Sequence, residues 1–74
     1  MDKNNLRNNR MWLAHRAMSC GLPSDVAYRA TDAFIAECCS PDEKDRILSY
    51  NVACISLTEH AAIWERLKQY IMTH

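Results

Sequence analysis

Apolar residues recur at alternating steps of three and four through the C-terminal half of the chain. The series runs through Ile47, Tyr50, Cys54, Leu57, Ala61, Trp64 and Ile71, with Lys68 at its one polar position. This heptad spacing is typical of an amphipathic α-helix. Neither glycine nor proline occurs after Pro41. The pattern therefore predicts one long helix over about 41–72.

Two short motifs predict where this helix begins and where it could break. Ser40-Pro41-Asp42-Glu43 predicts an N-terminus, with serine as the N-cap, proline in the first helical position and glutamate completing a capping box. Ser56-Leu57-Thr58-Glu59 has the same form, so a break near Ser56 into two shorter helices is the alternative. Because the heptad spacing passes through Leu57 without a shift, we favour the continuous helix.

A first, shorter helix is predicted over about 5–20. It should end at Gly21, the one glycine in the chain, because glycine readily adopts the left-handed conformation that closes a helix. Segment 1–5 is rich in asparagine, a poor helix former, and is expected to be disordered. The candidate caps of this helix are Asp2, Asn4 and Asn5.

A second helix is predicted over about 25–39, with Ser24 as its N-cap. It should end before Pro41, whose ring disfavours helical geometry at the preceding residue. Together the three helices predict an all-α fold, a small helical bundle within a single domain of residues 1–74.

The apolar surface of the long helix is wider than two short helices can cover. A second apolar set lies beside the heptad series and comprises Leu48, Val52, Ile55, Ala62 and Ile63. Apolar residues make up 49% of the 74 residues, yet a chain of this length buries only about 60% of its unfolded surface. We therefore expect a homodimer to complete the core, or a protein partner to cover the excess.

Seven residues are the candidates for such a protein interface. They are Trp12, Leu48, Val52, Ile55, Leu57, Trp64 and Ile71. Trp12 is included because it lies beside the apolar face of the first helix, and aromatic side chains dominate protein interfaces. For both tryptophans, packing between helices is the alternative explanation.

Charge gives little indication of a nucleic-acid partner. The chain carries nine basic and nine acidic residues, so it has no overall field for steering an anion. A local basic group at the N-terminus comprises Lys3, Arg7 and Arg10. These side chains are candidate contacts to nucleic acid or to an acidic partner, with a solvated terminus as the alternative.

The spacing of Ala17, Gly21, Leu22 and Ser24 matches the turn of a helix-turn-helix motif. The second helix would then be the recognition helix. Its charged residues are three acids and one base, whereas a helix in the major groove should be basic. A DNA-binding transcriptional regulator is therefore the alternative function rather than the leading one.

The potential metal ligands are His15, Cys20, Cys38, Cys39, Cys54 and His60. They lack the two close-spaced pairs of a zinc site, so small buried thiols are the simpler explanation, and no metal or cofactor is predicted. The chain also lacks a phosphate-binding loop and an evident pair of catalytic carboxylates. It shows no secretory signal and no apolar run of membrane-spanning length, which predicts a cytoplasmic protein.

These observations favour a small, non-enzymatic protein–protein interaction module. We expect a regulator or inhibitor of a protein partner, of the kind encoded as an accessory protein by phages or mobile elements. The identity of the partner does not follow from the residues.

Overall fold

The computed structural model describes residues 8–73. Four α-helices occupy most of this range: α1 (Asn9–Ser19), α2 (Ser24–Cys38), α3 (Pro41–Leu48) and α4 (Leu57–Thr73). A 3₁₀ turn (Val52–Cys54) lies between α3 and α4. The all-α prediction is confirmed, whereas the described residues form four helices rather than three. The predicted disorder of segment 1–5 lies outside the described residues.

The prediction of one continuous helix over 41–72 is wrong, and the alternative break is the correct one. α3 ends at Leu48, and α4 begins only at Leu57. Ser56 is the cap of α4, because its Oγ accepts a hydrogen bond from the backbone N–H of Glu59 at 3.1 Å. The second capping-box motif is therefore a real helix start.

Short polar side chains explain why the connection between α3 and α4 leaves the helix. The Oγ of Ser49 accepts a hydrogen bond from the N–H of Asn51 at 3.1 Å. The Oδ1 of Asn51 accepts from the N–H of Ala53 at 3.2 Å. Serine and asparagine thus provide these backbone groups with local partners that replace the helical ones. These hydrogen bonds favour a non-helical connection even though the apolar spacing is that of a helix.

The break also changes which face of the C-terminal segment is buried. Tyr50 and Leu57, both in the heptad series, are 80% and 75% exposed. α4 instead buries His60, Ile63, Trp64 and Leu67, which form their own i, i+3, i+4, i+7 stripe. Two independent helices need not share one register, so the continuous spacing was misleading.

α1 begins later than predicted. Asn8 is its N-cap, and the Oδ1 of Asn8 accepts from the N–H of Met11 at 3.0 Å. The predicted stop at Gly21 is confirmed: this residue has φ +107°, and its N–H donates to the carbonyl of Met18 at 2.9 Å. The N–H of Leu22 donates to the carbonyl of Ala17, which completes a Schellman motif.

Of the predicted N-caps of α2 and α3, the first is wrong and the second is confirmed. Ser24 is the first residue of α2 rather than its N-cap, and the cap position belongs to Pro23, without a side-chain hydrogen bond. Ser40 caps α3 as predicted, its Oγ accepting from the N–H of Glu43 at 3.2 Å. Pro41 fits the first position of α3 because a proline there loses no helical hydrogen bond.

α1 lies at the centre of the bundle and contacts α2, α3 and α4. The buried apolar core comprises Leu13, Ala14, Ala17, Ala27, Phe34, Ile35, Ile47, Ile55, Ile63, Trp64 and Leu67. Buried alanines on α1 and α2 allow these two helices to approach closely. Because the C-terminal segment is divided into two helices, the central position belongs to the shorter α1.

Candidate functional site

Two apolar cavities meet at the C-terminal end of α4. One, of about 450 Å³, lies between α2 and α4 and is lined by Val26, Ala30, Ala33 and Tyr70. The other, of about 240 Å³, lies between the end of α1 and α4 and is lined by Ala17, Cys20, Trp64 and Met72. Leu22 and Ile71 line both cavities. We call the combined depression the Ile71 groove.

The charged side chains that line the Ile71 groove are both cationic. Arg29 lines the first cavity and Lys68 the second, and no carboxylate is among the described residues that line either one. Arg29 pairs with Asp25 at 3.4 Å, and Lys68 pairs with Glu65 at 2.7 Å. Both pairs lie within one helix and near solvent, where such contacts contribute little and exchange readily.

A cation also covers Trp64 at the edge of this groove. The guanidinium of Arg16 lies 5.2 Å from the centre of the indole ring, and the ammonium of Lys68 lies 5.8 Å from it. Trp64 itself is only 6% exposed. The groove therefore combines an apolar floor with positive charge above it.

A second apolar surface lies where α3 and α4 are joined. Leu48, Tyr50 and Leu57 are 39%, 80% and 75% exposed. The end of α3 and the start of α4 are held together because Arg46 donates to Glu59. We call these three residues the α3–α4 patch. Leu57 and Ile71 are about 21 Å apart along α4, so the patch is distinct from the groove.

The predicted interface residues do not form one surface. Ile71 and Trp64 line the groove, whereas Leu48 and Leu57 belong to the α3–α4 patch. Ile55 is 3% exposed and lies in the core with Trp64, so neither extends far into solvent. Trp12 and Val52 are half-buried. The groove also contains Leu22, Val26 and Met72, which the heptad pattern did not select.

The predicted basic group at the N-terminus is only partly within the described residues. Lys3 and Arg7 lie outside them. Arg10 is in α1, where its guanidinium pairs with Asp32 of α2 and lies 4.8 Å from the ring centre of Tyr28. The hydrogen bond to Asp32 raises the pKa of Arg10 above its ordinary value. Arg10 thus joins two helices.

The most unusual buried group is His60, which the sequence suggested only as a metal ligand. It is 1% exposed, and its ring stacks on Trp12 with 3.7 Å between ring centres and 20° between planes. Neither ring nitrogen has a hydrogen-bond partner among the residues that the structure describes. Burial, assisted by the charge of Arg16, lowers the pKa of His60 to about 4. The stripe that includes Ile63 and Leu67 could have indicated its burial.

The four cysteine thiols differ in burial and in hydrogen bonding. The Sγ of Cys54 donates to the carbonyl of Arg46 at 3.2 Å. Burial and a hydrogen bond to Glu43 raise the pKa of Cys39 to about 11, so this sulfur stays a thiol at neutral pH. Cys20 and Cys38 are exposed. Within residues 8–73, no group of three or more His, Cys, Asp or Glu side chains is placed to hold a metal ion.

Comparisons with protein-family models, with curated proteins and with solved structures found no significant match. Among the described helices, none has the length and apolar character needed to cross a bilayer. The geometry of the Ile71 groove and the α3–α4 patch is therefore the physical basis for assigning a function to this chain.

Proposed function

We propose that this chain is a non-enzymatic protein-binding module that regulates or inhibits a protein partner through the Ile71 groove. The observation that carries the proposal is the pair of apolar cavities sharing Leu22 and Ile71, with Arg29 and Lys68 as their charged lining. Grooves of this kind between helices accept the apolar face of an amphipathic helix. We infer that the occupant is such a helix from another protein.

The charges on the groove favour an occupant with acidic flanks. A partner carboxylate can replace Asp25 at Arg29 or Glu65 at Lys68, since both existing pairs lie within one helix and near solvent. A partner with basic flanks would meet like charge at both positions. Charge thus selects among helices whose apolar faces are the same.

The chemistry of the buried titratable groups adds support for a non-enzymatic role. A raised thiol pKa makes Cys39 a poor nucleophile, and His60 is enclosed away from any substrate. We place the protein in the cytoplasm, where free cysteines such as these stay reduced. Origin in a phage or mobile element stays a prediction.

We propose that self-association uses the other surface, the α3–α4 patch, with a second copy of the chain as its occupant. Tyr50 and Leu57 are large, apolar and mostly exposed, and Leu48 lies on the adjoining helix end. A two-fold contact would place the same side chains against each other, as in most homodimers. Light scattering at micromolar concentration tests this, and a wild-type protein that stays monomeric contradicts it.

Two matched variants separate the two surfaces. Two synthetic amphipathic helices with the same apolar face, one with glutamate flanks and one with lysine flanks, serve as probes. Fluorescence anisotropy should show preferential binding of the glutamate probe, weakening with salt. Ile71→Asp should abolish this binding and leave the dimer intact, whereas Leu57→Asp should do the reverse. Equal binding of both probes, or no effect of Ile71→Asp, contradicts the groove proposal.

The DNA-binding alternative draws less support. The corner at Gly21 exists, but Arg10 is paired with Asp32, and α2 keeps its excess of acids. It stays a prediction, tested by a mobility shift with duplex DNA at low salt.

A further inference from the structure

Within residues 8–73, the contact between α1 and α4 contains buried polar atoms that have no hydrogen-bond partner. His60 of α4 stacks on Trp12 of α1, and both of its ring nitrogens are buried and unpaired. Asn9, one turn before Trp12, is 0% exposed and has an unpaired Oδ1, while its Nδ2 donates to the carbonyl of Val52 at 3.1 Å. This contact is held by apolar and stacking interactions rather than by hydrogen bonds.

Protonation of His60 would make this contact much less favourable. A neutral imidazole leaves one buried N–H without a partner, whereas an imidazolium leaves two, together with a buried charge. Burial lowers the pKa of His60 to about 4, which is the change expected for a buried ring whose nitrogens have no partner. The folded state therefore selects the neutral ring.

The charged and titratable groups of the segments next to His60 do not offer a free acceptor for an added proton. On α1, Arg16 is a cation that further lowers the pKa of His60, and Arg10 is engaged by Asp32. On α4, the carboxylate of the adjacent Glu59 accepts from Arg46 of α3. In the connection between α3 and α4, the thiol of Cys54 donates to the carbonyl of Arg46. Hence none of these groups is a free acceptor for an imidazolium.

We propose that His60 is an acid-sensitive latch whose protonation separates α4 from α1 and thereby disrupts the Ile71 groove. The 240 Å³ half of that groove lies between the two helices, with Ala17 from α1 and Trp64, one turn after His60, from α4. Loss of the Trp12–His60 stack therefore removes the support of one groove wall. The part of this inference that concerns binding rests on the proposed function, while the part that concerns folding does not.

The sign of the effect follows from linkage between protonation and folding. The unfolded chain binds a proton at His60 near pH 6.5, whereas the folded chain resists it down to about pH 4. Stability from the neutral ring is thus complete above pH 6.5 and is lost as pH falls toward 4. Between pH 7.5 and pH 5, the ratio of folded to unfolded chain should decrease roughly 25-fold.

Urea denaturation of the full chain, monitored by circular dichroism between pH 7.5 and pH 5, tests the predicted decrease in stability. Wild type should show the decrease. His60→Phe, which can still stack on Trp12, and His60→Gln, which stays uncharged, should both show a nearly flat profile. His15→Gln is the matched control and should retain the decrease. The range stays above the ordinary pKa values of Asp and Glu, so carboxylate titration contributes little to the decrease.

NMR chemical shifts of the histidine ring protons supply a second readout. This measurement uses the wild-type chain and needs no variant. The His60 ring should keep its neutral chemical shift at pH 5 while the chain is folded. A flat wild-type profile, equal slopes in wild type and both His60 variants, or a His60 ring that titrates near pH 6.5 would overturn the latch. If the profile holds but neither helical probe binds at any pH, the proposed function fails and the latch stands.

Discussion

Replacing Arg66 with methionine should destabilise the fold more than replacing a solvent-exposed arginine such as Arg29. The Nη1 of Arg66 donates to both carboxylate oxygens of Glu43, at 3.1 and 2.9 Å. Its Nη2 donates to the carbonyl of Cys38 at 2.8 Å, and the guanidinium lies 5.4 Å from the ring centre of Phe34. One side chain of α4 thus joins the end of α2 to the start of α3. Methionine keeps the aliphatic stem and removes every donor.

The expected cost of Arg66→Met follows from the exposure of its partners. The Glu43 side chain is 17% exposed and that of Arg66 is 43% exposed, so solvent screens the pair only partly. Hydrogen bonds to charged groups contribute about 1.5–3 kcal/mol each in buried settings. Allowing for screening, we expect the free energy of unfolding to fall by about 2 kcal/mol, or about 30-fold in the equilibrium constant.

Arg29→Met is the matched control for this prediction. The pair of Arg29 with Asp25 is 3.4 Å long and joins side chains that are 76% and 74% exposed. Its loss should change the free energy of unfolding by less than about 0.5 kcal/mol. Urea denaturation at pH 7 measures both variants. An Arg66→Met cost no larger than that of Arg29→Met would refute the reasoning from burial and hydrogen bonding.

Arg66→Met should also change how the stability of the fold depends on pH. The hydrogen bond from Arg66 holds the pKa of Glu43 below its ordinary value, with the thiol of Cys39 as a further donor. A depressed carboxylate pKa gives stability that is complete above the unfolded value of about 4.5 and is lost as pH falls through the folded value. Wild type should therefore lose more stability than Arg66→Met between pH 6 and pH 3. Parallel profiles would contradict the assignment.

Four further substitutions have expected outcomes, all measured by urea or thermal denaturation. Gly21→Ala should cost about 1–2 kcal/mol through its positive φ alone, because an added Cβ meets no atom within 4 Å; a neutral result would contradict the Schellman geometry. Ser56→Ala should cost about 1 kcal/mol, since Ser56 caps α4; no change would argue for a continuous helix after all. At a protein concentration where the wild type is monomeric, Trp64→Ala should cost about 3–5 kcal/mol, whereas Leu57→Asp should stay within about 0.5 kcal/mol. Similar costs for Trp64→Ala and Leu57→Asp would indicate that both side chains are buried, as the heptad spacing predicted.

Local chemistry was the part of the fold that could be predicted from the chain. Gly21 ends α1 and Ser40 begins α3 as expected, because each motif satisfies backbone groups within a few residues of itself. The break before Leu57 has a local signal of the same kind, since the two capping motifs have equal form. The uninterrupted apolar spacing pointed the other way and favoured a continuous helix, which was wrong.

Longer-range features could not be predicted in this way. Arg66 and Cys38 are 28 residues apart, and Asn9 reaches Val52 across 43 residues. Spacing along one helix contains no information about such pairs. The Ile71 groove likewise requires α1, α2 and α4 to converge. Of the residues that line it, only Trp64 and Ile71 were among the predicted interface residues.

The two capping boxes have a consequence for how this bundle moves. In each box the glutamate bonds to an arginine of the other helix rather than reaching back to its own cap: Glu43 of α3 to Arg66 of α4, and Glu59 of α4 to Arg46 of α3. The side chain that could secure one helix start therefore secures the neighbouring helix as well. Fraying of either first turn must break a bond to the other helix. Backbone amides at the two starts should accordingly exchange with deuterated solvent as one cooperative unit, although the break between α3 and α4 separates them in the chain.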